Sequence, residues 1–107
     1  MRRFPWADEF KEWLEKQPED KRWPCTAEQC PLADFLSEWY ERKMVVGLDY
    51  RYMVIAPEMP HAHTIEGVPH PIWAARFVYK FDDSNLVKSP KVVLRILAGA
   101  RRGLKRS

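Results

Sequence analysis

The chain reads as a small α+β domain: two N-terminal amphipathic helices, a short two-stranded antiparallel sheet, and a basic C-terminal helix. Three observations predict it. Apolar residues recur every three to four positions in three segments, they alternate in two others, and proline or turn residues stand at the boundaries between them. At 107 residues, 46% hydrophobic and with fourteen aromatics, the sequence has apolar surface enough for one core and one domain spanning 1–107.

The first helical pattern runs from about Pro5 to Gln17. Trp6, Phe10, Trp13, Leu14 and Gln17 form one stripe, and Asp8, Glu12 and Glu15 lie opposite. Pro5 suits a first helical position, Asp8 and Glu9 suit the positive end of the helix dipole, and Pro18 stops the pattern. Pro31 opens a second helix through about Lys43, with Leu32, Phe35, Leu36, Trp39 and Tyr40 on its apolar face. Thr26 and Gln29 have capping-box spacing just before it. These two helices are expected to bury their aromatic stripes against each other.

Met44–Ala56 alternates in the manner of a strand, and Pro57 ends it. Residues 57–71 hold four prolines and all three histidines, so no regular element is expected there. Trp73–Phe81 alternates again and reads as the second strand, although a short helix also accommodates Trp73, Phe77 and Phe81. Ser89 as N-cap and Pro90 as first helical residue begin the last helix, within a basic segment and tail spanning 88–107. Val92, Val93, Ile96, Leu97, Ala100 and Leu104 share one side of it. Lys88, Lys91, Arg95, Arg101, Arg102, Lys105 and Arg106 take the other if the helix runs to the end. Gly99 and Gly103 weaken its last turns.

The residues Phe10, Trp13-Leu14, Gln17-Pro18, Asp20 and Trp23, followed by Cys30-Pro31-Leu32-Ala33-Asp34-Phe35-Leu36, give the N-terminal third a pattern. It resembles that of small uncharacterised proteins of bacteriophages and alphaproteobacteria. The resemblance implies a mobile-element accessory context, in which small domains act by binding, anti-CRISPR proteins among them. It implies no activity, cofactor or catalytic residue.

Charge is segregated along the chain. Residues 1–87 carry a balance of −4, whereas 88–107 hold seven Lys/Arg and no acid. A one-sided cationic helix can follow a phosphate backbone, lie on an anionic membrane with Val92, Ile96 and Leu97 inserted, meet an acidic protein surface, or simply face solvent. Cys25 and Cys30 with His61, His63 and His70 supply zinc-ligand types, but their spacing fits no familiar zinc framework. The same histidines with Glu58 or Glu66 could serve acid–base chemistry, yet no nucleophile motif or phosphate-binding glycine loop accompanies them. Tyr50, Tyr52, Phe77, Tyr79 and Phe81, interleaved with Arg76 and Lys80, have the composition of an RNA-stacking platform. Alternation along a half-buried strand explains them equally.

No apolar run approaches the roughly 20 residues of a membrane span. The early acids argue against a signal peptide, so a cytoplasmic location is expected. The expected function is non-enzymatic and cofactor-free. It is a binding protein, an accessory factor that inhibits or modulates a host protein or nucleoprotein complex, using Lys91, Arg95, Arg101, Arg102, Lys105 and Arg106 against an acidic or phosphate-bearing surface. The acidic helices could instead imitate a nucleic-acid backbone. The alternative is a small nucleic-acid-binding protein using the same helix with Arg76 and Lys80.

Overall fold

Four helices carry the structure, a computed structural model that describes residues 3–24, 30–41, 44–46, 54–55, 71–82 and 86–104. They are α1 (Ala7–Glu15), α2 (Pro31–Trp39), α3 (Ile72–Phe81) and α4 (Pro90–Arg101). The described residues are therefore mostly helical, and the α+β expectation is corrected. The segment expected as the second strand is α3, which buries Trp73, Ala74, Phe77 and Phe81, a spacing of three to four. Being helical, it pairs with none of the described residues of 44–56 as a strand. The only paired strand segments among the described residues have two residues each. Val45–Val46 (β1) runs antiparallel to Val54–Ile55 (β2), both inside what reads in sequence as one strand.

Local chemistry sets the helix ends. Trp6 rather than Pro5 precedes the first turn of α1, and its N–H donates to Glu9 Oε1 at 2.8 Å. That is half of a capping box, since an indole offers no oxygen in return. Cys30 caps α2, its Sγ accepting from the Ala33 N–H at 3.3 Å, with Pro31 in the first helical position. The helix stops at Trp39, four residues short of the expected Lys43. Glu41 takes a left-handed φ of 54°, and Met44 N–H donates to Ser37 Oγ at 2.8 Å. Ser89 caps α4 as expected. That helix does not reach the chain end, because it gives way at Arg102 and Gly103, the latter with φ 84°. The spacing of Thr26 and Gln29 lies outside the described residues.

Phe10 is the hub of the core. Its ring stacks on Phe35 of α2 at 5.0 Å, meets Phe77 of α3 edge-on at 5.1 Å and approaches Trp73 at 5.9 Å. The expected α1–α2 stacking is present, but α1 packs more extensively on α4, and α3 with α4 forms the most intimate pair. A backbone bridge joins distant segments: Trp23 N–H donates to Lys88 O at 2.9 Å, and Lys88 N–H donates to Trp23 O at 3.0 Å. No described helix is long and apolar enough to cross a membrane.

Candidate functional site

The outward face of the α3–α4 pair gathers most of the cations singled out in the sequence. On α4, Lys91 and Arg95 are exposed, and Arg102 is exposed at its end. Residues four and seven apart fall near one line of a helix, so these three make a ridge about 16 Å long. On α3, Arg76 and Lys80 are exposed. Arg76 Nη1 donates to the Arg102 carbonyl at 3.1 Å, which fastens one end of the pair. The Lys80 stem lies over Gly99, where an added Cβ would sit 3.7 Å from Lys80 Cε. None of these five forms an ion pair with a described acidic side chain.

Hollows flank the ridge. On the α1 side, one of about 470 Å³ is lined by Lys11, Glu15, Leu94, Ala98, Arg101 and Arg102, among others. On the α3 side, one of about 600 Å³ is lined by Tyr79, Lys80, Val92, Arg95, Ile96 and Gly99. A further hollow of about 330 Å³ is lined by Ala75, Arg76, Tyr79 and Lys80 and shares the last two with it. The first includes Glu15 and borders the Arg101–Asp8 pair, whereas the other two have no carboxylate among the described residues that line them. Field and shape thus favour an anion on the α3 side.

Two expected members of the cationic face are diverted. Arg101 turns toward α1, its Nη1 2.8 Å from Asp8 Oδ1. Lys88 is buried, its Nζ 4.5 Å above the Phe81 ring and donating to Leu86 O at 3.0 Å. Lys105 and Arg106 lie outside the described residues. Val92, expected on the buried flank, is 37% exposed and lines the groove. Leu97 and Val93 are buried in the core, so α4 cannot insert that flank into a membrane without leaving the fold.

The stacking-platform expectation is also corrected. Because 72–81 is helical, Phe77 and Phe81 turn inward and are each 1% exposed, while Tyr79 faces out at 60%. Tyr50 and Tyr52 lie outside the described residues. So do Cys25, His61, His63 and His70, and with them the zinc and acid–base expectations. Of those residues only Cys30 is described. It is buried, and the described residues contain no cluster of three metal-ligating side chains. Burial pushes its thiol up to about 12, against the hydrogen bonds from the Ala33 and Leu32 backbone, with Asp82 and Asp34 adding to the rise. A thiol so protonated is a poor nucleophile and a poor ligand.

Sequence reasoning missed the apolar part of the surface. Ile72 (62% exposed), Leu86 (73%) and Val87 (58%) stand outside, and no periodicity distinguishes such residues from core positions. No family model matches the chain, and no curated protein or solved structure matches it.

Proposed function

We propose that this chain is a non-catalytic binding protein that works by occupying a negatively charged partner surface with its α3–α4 face. One observation carries the reading. Arg76, Lys80, Lys91, Arg95 and Arg102 are exposed on two adjoining helices, and no described carboxylate neutralises them. Such a cluster costs self-repulsion in the isolated molecule, a cost that an anionic partner removes. Support also comes from the seating of the pair: Phe77, Phe81, Val93 and Leu97 anchor α3 and α4 in the core, so the backbone positions that carry the cations are set before contact.

The test is binding of a labelled polyanion, heparin, across a salt series. The wild-type chain binds with an affinity that falls as salt rises. The double variant Lys91→Glu, Arg95→Glu loses that binding, while Lys16→Gln, at the exposed position that follows α1, retains it. Equal binding by the double variant would place the contact elsewhere.

A further inference from the structure

We infer that the partner is single-stranded nucleic acid, bound in the α3-side groove with Tyr79 stacked on a base and Arg76, Lys80 and Arg95 on the phosphates. The inference rests on the reading of α3–α4 as an anion-binding face and adds what charge alone does not explain. Tyr79 lines both hollows whose described lining holds no carboxylate, one with Ala75 and Arg76, the other with Val92, Arg95 and Ile96. An exposed aromatic side chain shared by two hollows, each edged by cations, matches the chemistry of a base with its flanking phosphates. The guanidinium groups of Arg76 and Arg95 can also lie against base planes.

The composition of the groove discriminates among anionic partners. A duplex keeps its bases stacked inside and offers phosphates outside, so cations would suffice and an exposed Tyr79 over an apolar floor would add nothing. An acidic peptide likewise is held by charge, and the negative face of an aromatic ring repels its carboxylates. Unstacked bases have a planar face and need it covered. Gly99 lines the same groove, and the Lys80 stem lies over it.

The experiment is fluorescence anisotropy with three probes at about 50 mM salt: a labelled oligothymidylate of about 15 nucleotides, labelled heparin, and labelled poly-glutamate. Oligothymidylate is expected to bind, with a log–log salt slope of about −2 for the three cations on phosphates. Tyr79→Ala weakens it about tenfold or more with the slope unchanged, and Tyr79→Phe restores it. Tyr79 is exposed, and an unaltered melting temperature confirms that the variant is folded. If Tyr79→Ala leaves oligothymidylate affinity unchanged, or if only heparin or poly-glutamate binds, the nucleic-acid inference is overturned and the anionic-partner reading stands. If none of the three probes binds, that reading falls with it.

Discussion

In the α1–α2 half, several carboxylates and cations are engaged by groups of the same half. Arg3 makes two hydrogen bonds to Glu9, at 2.9 and 3.1 Å, and these raise its pKa above the ordinary value. The indole N–H groups of Trp13 and Trp23 donate to Glu38 and Asp34 at 2.9 and 2.8 Å, and that of Trp39 to the Arg3 carbonyl at 2.8 Å. In the α3–α4 half, five exposed cations meet no described carboxylate. Trp73, buried like Trp23, has an N–H with no acceptor among the described residues. The first half carries charges of both signs and pairs some of them internally, whereas the exposed charge of the second is cationic, so the second is where an anionic partner gains most. Arg101–Asp8 is the exception that ties the two.

The harshest way to break this contrast is to remove what joins the halves. Phe10→Ala takes away the ring shared by α1, α2 and α3 and should cost about 3–5 kcal/mol. Chemical denaturation followed by both tryptophan fluorescence and circular dichroism should show one shared, earlier transition. Two separated transitions would mean that the halves are independent. Asp34→Ala strips the acceptor from a buried indole and should cost about 1–3 kcal/mol. Trp73→Phe, which gives up no hydrogen bond, should cost less than Trp23→Phe in the same assay.

Cys30 sharpens the contrast through pH, since Asp34 of α2 and Asp82 at the end of α3 both act on it. Its folded value of about 12 lies above the ordinary 9.0, so the folded state holds a proton that the unfolded chain releases. The resulting stabilisation is complete below pH 9 and is lost as pH climbs toward 12. In Cys30→Ser, the alkaline decline in unfolding free energy should be shallower by up to about 1.4 kcal/mol per pH unit. An identical decline would show that the thiol does not titrate this way. Smallest of all, Arg101→Ala should cost about 0–1 kcal/mol through its partly exposed pair, and Arg95→Gln should stay within about 0.5 kcal/mol. Thermal melts that reverse this order would mean that Arg95 has a role inside the fold.

Much of this was legible before any coordinates. The stripes of α1, α2 and α4 could be read directly, as could Ser89-Pro90 and the ridge of Lys91, Arg95 and Arg102, because each depends on residues within one or two turns. The segment 72–81 was ambiguous for a physical reason. Trp73, Phe77 and Phe81 satisfy both a period of two and a spacing of four, and aromatic residues favour neither decisively. The buried Ala74 decides it, since a strand with Trp73 inward would turn Ala74 outward. The diversions of Lys88 to Phe81 and Arg101 to Asp8 could not be read, because each depends on a neighbour supplied by tertiary packing. The same holds for the groove at Tyr79, which exists only once α3 lies against α4.

The contact between α1 and α4 also has a consequence during synthesis. About 80 residues separate the two helices, so at roughly 5–20 residues per second α1 waits some 4–16 s for its cover. For that interval Phe10 and Leu14 have nothing from α4 to lie against, and the emerging polypeptide offers a chaperone an aromatic-rich segment. Native packing is thereby deferred until translation has passed Ala100, which makes a ribosome-stalled fragment ending before α4 a sensitive protease target.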